Sequence, residues 1–493
     1  MNGERDTSPA LAYLRRMAAS EHPPAPGARP ARDRRRLTEG PVGATLFHLS
    51  WPMTVGLLSV IAFNVVDTLY IGRLGADPLA AIGFCFPVIF STSAVAIGLG
   101  TGAGALVSRA IGAGDMERAR RLSTNALILA VIIVGALTAL GAASVGPLFR
   151  NLLGAPDELI PLIESYMHIW YAGMAFLVVP MVGNSILRAN GESLLPSAMM
   201  VVAAILNAVL SPPLIFGLLG APRLEMAGAA IATSLSRSTM LFATLWLLQN
   251  RGRLIDWSGA SLSSFAEDAR AVFRVGGLAA LAQAIQPLSA IAITRLLAGF
   301  GSSAVAGFAV GARIEALFLV PFFALQTGLG PFVGQNAGAG DAARVGAARD
   351  RAMMFIALWA AVAFAILSVF GETVAGWFTP DAEIAALSAR YVLFASGGFL
   401  GAGLILTGVA TLNPLNRPLF ALSLTLLRFL GIYLPLGFVF SRLQGPEGVF
   451  AAAGLSYLVA GAAAFLLTRW ATRELKARSS APAPGASAAA SRP

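Results

Sequence analysis

The chain has 493 residues, of which 56% are hydrophobic and only 12% are charged. Soluble proteins carry about 25% charged residues, so this composition excludes a soluble globular protein and indicates a polytopic membrane protein. The net charge of +10 does not indicate a nucleic-acid partner, because the basic residues are concentrated at the two ends of the chain and in alternate connections between apolar segments.

Twelve apolar segments are each long enough to cross a bilayer as a helix, which takes about 20 residues. They predict an all-α polytopic membrane protein with twelve transmembrane helices. Arginines cluster at both ends of the chain and after the second, sixth and eighth helices, so the positive-inside rule places both termini in the cytosol, in a bacterial-type inner membrane. The predicted helices are residues 46–71, 79–107, 123–146, 160–187, 196–217, 227–249, 274–298, 304–332, 352–370, 384–411, 418–440 and 448–468.

The composition also predicts the division of the chain. Residues 1–43 are rich in Arg and Pro, and residues 471–493 are rich in Ala, Pro and Ser, so both are predicted as disordered cytosolic tails. Between the tails we expect an N-lobe at 44–250 and a C-lobe at 274–470, with six helices each. A charged cytosolic connector at 251–273 joins them.

The two lobes are predicted from an internal repeat. Residues 75–115 align with residues 301–341 without a gap, and eleven of the 41 positions are identical. Both copies end in Gly-Ala-Gly-Asp. Because six is an even number of helices, the copies enter the membrane from the same side as parallel repeats. Membrane proteins built in this way usually hold a substrate between the halves and expose it to each side in turn.

A single carboxylate, Asp67, lies inside the first apolar helix. A charged side chain at membrane depth is costly, and such residues usually belong to a pathway for protons, ions or substrate. Asp67 in a duplicated helical bundle therefore predicts ion-coupled transport.

Six segments carry a resemblance to a known family: Phe63–Gly72, Ile186–Glu192, Asn207–Gly217, Gly228–Thr233, Arg313–Glu315 and Val333–Gly340. They resemble the multidrug and toxic compound extrusion (MATE) transporters, on the damage-inducible-F side of that family, over residues 45–470. The resemblance implies two six-helix lobes forming a V around a central cavity. It also implies export of organic cations or amphipathic drugs, driven by inward H⁺ or Na⁺. We expect no enzymatic activity, no cofactor other than the coupling ion, and a monomer that contacts its small-molecule substrate and the lipid bilayer.

The resemblance implies a coupling site in the N-lobe, where polar groups of the fifth and sixth helices join the carboxylate of the first. Matching the motifs gives Asp67, Asn207 and Thr233, and Ser211 lies at a similar depth. Position 211 is usually Asp in this motif, so one expected carboxylate is missing and H⁺ is favoured over Na⁺. Arg237, four residues after Thr233, either packs against backbone carbonyls or forms a switchable ion pair with Asp67.

The C-lobe offers a second polar set in its apolar helices. Arg313 and Glu315 are two residues apart and do not face each other on a helix. Glu315 and Arg428 lie at a similar depth, which allows these two to pair. Structural pairing and a role in substrate binding or coupling both stay open. The full set is Gln283, Gln286, Arg313, Glu315, Gln326 and Arg428.

Other functions remain open as alternatives. One is a flippase for a lipid-linked precursor, with a more cationic cavity and often extra helices, or a dedicated metabolite exporter. A remote alternative is a polytopic membrane enzyme, which would need clustered acid, base or metal-binding residues. The three histidines, His22, His48 and His168, are dispersed, and Cys85 is the lone cysteine. We therefore expect neither a metal site nor catalytic residues.

Overall fold

The fold is a bundle of long apolar helices, seen in a computed structural model that describes residues 37–256 and 261–480. Within these residues, ten helices can cross a membrane by length and composition, and two bent pairs bring the number to as many as twelve. An apolar chain crosses a bilayer in this way because a helix satisfies its own backbone polar groups. The predicted all-α membrane fold is confirmed. The α-helices are α1 Val42–Gly72, α2 Ala76–Gly112, α3 Met116–Pro147, α4 Ile160–Ala172, α5 Ala175–Ala189, α6 Leu194–Phe216, α7 Glu225–Trp246, α8 Leu262–Ala298, α9 Ser302–Gly338, α10 Ala342–Gly376, α11 Ala382–Gly397, α12 Phe399–Leu412, α13 Pro418–Leu426, α14 Leu434–Gln444 and α15 Pro446–Ser480.

Two of the predicted helices are each built from two α-helices. Helices α4 and α5 meet at 42° around Gly173 and Met174, and α11 and α12 meet at 56° at Gly398. The prediction of single helices at 160–187 and 384–411 was wrong in this detail. Each bend falls in the fourth membrane-crossing unit of its lobe, so the repeat includes the bend.

The ends of the predicted segments differ from the observed helices in three places. In the predicted tail 1–43, Leu37 is 2% exposed and α1 begins at Val42, while residues 1–36 lie outside the described chain. In the predicted connector 251–273, α8 already begins at Leu262, where the side chain of Ser261 caps its first turn. Helix α15 runs to Ser480, into the predicted tail 471–493, and residues 481–493 lie outside the described chain.

The internal repeat is confirmed in backbone detail. Helices α2 and α9 have 37 residues each, and both begin and end at positions that the repeat aligns. Gly114 and Gly340, in the turns that follow, have φ of +79° and +77°, a conformation that glycine adopts without steric cost. Asp115 and Asp341 then each cap a helix, accepting a 2.9 Å hydrogen bond from the N–H three residues on.

The two lobes meet along a seam of glycines, formed by Gly98, Gly102 and Gly112 of α2 with Gly276 of α8 and Gly338 of α9. The helix backbones approach so closely there that a methyl group at any of these positions would overlap backbone atoms of the other lobe. Small residues permit such close approach of membrane helices. Since α9 ends beside the start of α1, where Gln335 bonds to Leu37, the seam runs to the side on which α1 begins. We call this side the terminal side.

Substitution of Gly102 by Leu is expected to lower the thermal stability of the purified protein. The new side chain would overlap the backbone of Val272 and Gly276, and overpacking of this kind typically costs about 1–3 kcal/mol. The matched control is Gly135→Leu, because a Cβ atom at that position would have no other atom within 4 Å. Thermal unfolding in detergent measures both variants. Equal midpoints would show that the seam tolerates a large side chain and is not closely packed.

Candidate functional site

The predicted N-lobe site lies where α1, α6 and α7 meet. Nδ2 of Asn207 on α6 donates a hydrogen bond of 3.2 Å to Oγ1 of Thr233 on α7. Asn207 and Ser211 are fully buried, and Thr233 is 4% exposed. The structure therefore brings together the residues predicted on the fifth and sixth membrane-crossing helices.

The level of Asp67 can be read from a contact between α1 and α6. The hydroxyl of Ser193, just before α6, donates to the backbone oxygen of His48 on α1 at 3.0 Å. Nearly the same length of helix leads from His48 to Asp67 as from Ser193 to Ser211. At the rise of an α-helix, both Asp67 and Ser211 are about 27 to 29 Å from this contact. Because α1 and α6 pack side by side, Asp67 and Ser211 lie at one level, remote from the terminal side.

Three oxygens of this set are buried without a hydrogen-bond partner among the described residues. They are Oδ1 of Asp67, Oδ1 of Asn207 and Oγ of Ser211. A buried polar group without a partner typically costs about 1–3 kcal/mol, so such groups need an explanation. Carboxylate, amide and hydroxyl oxygens are hard ligands. The arrangement is chemically suited to a proton or a small cation.

Arg237 lies beside this set, and neither of its two alternative contacts, with backbone carbonyls or with Asp67, is found among the described residues. Its guanidinium carbon is 5.6 Å from the ring centre of Phe63, one helical turn before Asp67. The two charges attract each other, but the described residues contain no salt bridge between them. Tyr166 of α4 is buried and close enough to Asp67 and Arg237 to interact with the charges of both. No motif or spacing marks Tyr166 in the sequence, so it was not among the predicted site residues.

The C-lobe carboxylate, Glu315, is held by two tyrosines that were not among the predicted site residues. Oε2 accepts a hydrogen bond from Tyr391, and Oε1 accepts one of 2.5 Å from Tyr457. The guanidinium of Arg428 lies over the ring of Tyr457, with its carbon 3.6 Å from the ring centre. The predicted pairing of Glu315 with Arg428 was therefore wrong, because Tyr457 mediates between them. These tyrosines are 76 and 142 residues from Glu315 in sequence, and no local pattern connects them to it.

The other C-lobe candidates are not joined to Glu315 by hydrogen bonds or ion pairs within the described chain. Arg313 is exposed while Glu315 is buried, so the two point to different sides of α9 as their spacing predicts. Gln283 and Gln286 are exposed on α8, and Gln326 is half-buried on α9.

Arg428 lies in an irregular part of its helix. A π-helical turn, Leu427–Tyr433, separates α13 from α14, and such turns occur frequently at functional sites. Nε of Arg428 and the hydroxyl of Tyr433 are buried without a partner among the described residues.

The two intramembrane carboxylates therefore differ in their surroundings. Both oxygens of Glu315 accept hydrogen bonds from tyrosines, whereas no hydrogen bond to Asp67 is found in the described chain. A satisfied buried carboxylate holds helices together, and an unsatisfied one is available to a ligand. Asp67 is the stronger candidate for ion binding.

Comparisons with known proteins agree with this architecture. The family model described as MatE matches residues 52–212 and 279–439. A protein named FAD transporter, from Shewanella oneidensis, is 34% identical over 446 residues, which cover 90% of this chain and 98% of that protein. The multidrug export protein MepA of Staphylococcus saprophyticus is 25% identical, over 86% of this chain and 92% of MepA.

Solved structures give the same result. The crystal structure of the Vibrio cholerae MATE transporter VcmN in the bent form matches with a TM-score of 0.83 and 30% identity, over 88% of this chain and 98% of VcmN. These relatives are transporters and not enzymes. On the evidence of its family match, its relatives and its duplicated helical fold, the chain belongs to the MATE family of multi-pass membrane transporters.

Proposed function

We propose that the protein is a secondary active antiporter that exports amphipathic compounds, including organic cations, in exchange for H⁺. The observation that supports this most directly is the set of buried, unpartnered oxygens on Asp67, Asn207 and Ser211. They come from two helices of one lobe, and Asp67 carries the charge that a proton neutralises. The substrate moves by alternating access between the lobes.

Asp67 is the proton carrier in this mechanism. Asp67 is half-buried, and its Oδ1 is buried without a donor among the described residues; a carboxyl group in such a position is easier to bury when it is neutral. Protonation also ends the attraction between Asp67 on α1 and Arg237 on α7. The two helices then favour a different packing. Because the proton binds one conformation of the lobe more tightly than the other, its binding shifts the lobe toward that conformation.

The chemistry of the site favours H⁺ over Na⁺. A sodium ion needs several oxygen ligands and is held more tightly by more than one carboxylate, but position 211 is Ser. The charge of Arg237 also acts on Asp67 and opposes a resident cation. A proton needs only the carboxylate.

The positive-inside rule supports a cytosolic terminal side in a bacterial-type inner membrane. The glycine seam then closes the transporter toward the cytosol, and Asp67 lies in the half of the bilayer nearer the outside. From there it takes up a proton from the outside.

Asp67→Asn is expected to abolish ethidium or norfloxacin efflux from proteoliposomes under an imposed pH gradient, because the amide cannot bind and release a proton. The efflux rate should fall more than tenfold. A proton that binds one conformation ~10⁴-fold more tightly than the other converts nearly all of the protein to that conformation, so losing the proton site can cause a loss of this size. The matched control, Asp77→Asn, changes an exposed carboxylate at the start of α2 and should retain wild-type efflux.

The same liposomes identify the carrier if Asp67 is not it. Efflux that survives Asp67→Asn but is lost in Glu315→Gln would move proton coupling to the C-lobe. Efflux that needs Na⁺ and not a pH gradient would replace H⁺ by Na⁺ as the coupling ion.

A dedicated exporter of a phosphorylated dinucleotide is the second candidate. The FAD transporter of Shewanella oneidensis is 34% identical to this chain. Three arginines well inside the helices, Arg237, Arg313 and Arg428, accompany the two acids, Asp67 and Glu315. Arginine is well suited to phosphate groups because its guanidinium binds them with two parallel hydrogen bonds.

The two candidates predict opposite results in liposomes loaded with ethidium or with FAD. Under a pH gradient, we expect the rate of ethidium efflux to be at least threefold that of protein-free liposomes, a ratio that corresponds to about 0.7 kcal/mol. We expect FAD efflux to stay at the rate of protein-free liposomes. FAD efflux that saturates with concentration, without ethidium efflux, would establish the second candidate. Fluorescence of the released compound measures both.

A further inference from the structure

The chain just before α1 is held by the C-lobe, although α1 belongs to the N-lobe. The backbone N–H of Leu37 donates to Oε1 of Gln335 at 3.0 Å, and its carbonyl accepts from Nδ2 of Asn336 at 3.1 Å. Nε2 of Gln335 donates in turn to the backbone oxygen of Ala189, at the end of α5, at 2.7 Å. Gln335 thus bonds to two parts of the N-lobe.

Arg344 of α10 completes this contact. Its guanidinium donates to the backbone oxygens of Leu37, Glu39 and Gly40 at 3.2, 3.1 and 2.8 Å, and to Oδ1 of Asn336 at 2.9 Å. All four acceptors are neutral, so the contact depends on the planar, forked geometry of the guanidinium and not on a counter-charge. We call the bonds of Gln335, Asn336 and Arg344 to residues 37–40 the first clasp.

A second clasp has the reverse arrangement. At the start of α8, the first helix of the C-lobe, Asp268 accepts from Nε of Arg121 at 3.1 Å and from Nδ2 of Asn125 at 2.8 Å. Both donors lie on α3 of the N-lobe, and the hydroxyl of Thr124 accepts from the backbone N–H of Asp256 at 2.9 Å. Asp268 is 3% exposed.

The two clasps are related by the internal repeat. Helix α1 corresponds to α8, since they end at Gly72 and Ala298, which the repeat aligns, and α3 corresponds to α10, since they follow the two Gly-Ala-Gly-Asp turns. In each lobe, therefore, the start of the first helix is held by the third helix of the other lobe. The same contact between lobes thus occurs in both copies, made by different residues. This recurrence indicates that the contact is a feature of the fold and not a single accidental hydrogen bond.

We propose that the two clasps form the gate of the terminal side, with Arg344, Gln335, Asn336 and Asp268 as its positioning residues. Their bonds join one lobe to the other beside the glycine seam, so opening toward the terminal side has to break them. This proposal rests on the alternating access proposed above, but not on the identity of the substrate or the coupling ion.

The test is the labelling rate of a cysteine placed behind the gate. In a Cys85→Ser background, Ser108→Cys is the reporter, because Ser108 is fully buried and packs beside Gly334 across the seam. We expect Arg344→Gln to raise the rate at which maleimide labels the cysteine at position 108 about tenfold. The reason is that losing strong hydrogen bonds shifts the equilibrium from the closed gate toward the open one. Asp268→Asn should raise the rate in the same direction.

Two controls separate a gate from general loosening of the fold. Arg349→Gln, five residues further along α10, removes a guanidinium that bonds to the neighbouring Asp350, and should leave the rate unchanged. A reporter at Ser456→Cys, fully buried in the C-lobe, should label equally slowly with and without Arg344→Gln. Faster labelling at both reporters would overturn the proposal, as would equal rates in Arg344→Gln and Arg349→Gln.

A milder variant keeps the proposal testable if Arg344→Gln does not fold. Arg344→Lys retains the charge but cannot make four bonds in one plane, so a severalfold increase in the labelling rate would support the proposal and a wild-type rate would contradict it. The assay needs neither a substrate nor a pH gradient. Failure of the proposed proton exchange in liposomes is therefore distinguishable from failure of the gate.

Discussion

The cost of an unpaired polar group at membrane depth is the constraint on which the rest of this structure depends. It requires the backbone to be helical. It also separates the two intramembrane carboxylates, because one has hydrogen-bond donors among the described residues and the other does not. Two tyrosines satisfy Glu315, so these hydrogen bonds join α9 to α11 and α15. Asp67 has no such donors, and the surrounding structure tolerates this cost. This difference is the reason for proposing Asp67, and not Glu315, as the proton carrier.

The duplication of the chain explains the scaffold but not the chemistry. Helices α1 and α8 end at equivalent positions, and α2 and α9 match from end to end. In the alignment of the two copies, Asp67 corresponds to Ile293, and Glu315 corresponds to Ile89. Each lobe has therefore kept the repeated backbone and placed its acid on a different helix. The two lobes therefore differ in where they place a buried acid, and the proposed coupling site uses the acid of the N-lobe alone.

The fold and much of the geometry of the candidate N-lobe site could be predicted because they depend on patterns that are local in sequence. Apolar length marks a spanning helix, and the constant rise of an α-helix is enough to place Asp67 and Ser211 at one level. The tyrosines around Glu315 and the clasp at Leu37 could not be found in this way. Leu37 stands in an arginine-rich, polar stretch, and only the tertiary contact with Gln335 shows that it is buried. The bends at Gly173 and Gly398 were missed because apolar composition is the same on both sides of each break.

Helix α1 connects the two ends of the proposed mechanism. It begins two residues after the first clasp and carries Asp67 near its other end, and it is a single α-helix of 31 residues that includes Pro52. A helix is stiff along its axis, so a change of packing at Asp67 and the release of residues 37–40 act on the same body. Neutralising Asp67 weakens its attraction to Arg237 at one end, while the first clasp resists movement at the other. The proton and the gate then influence each other without a chain of intermediate residues, because both bias the position of one helix.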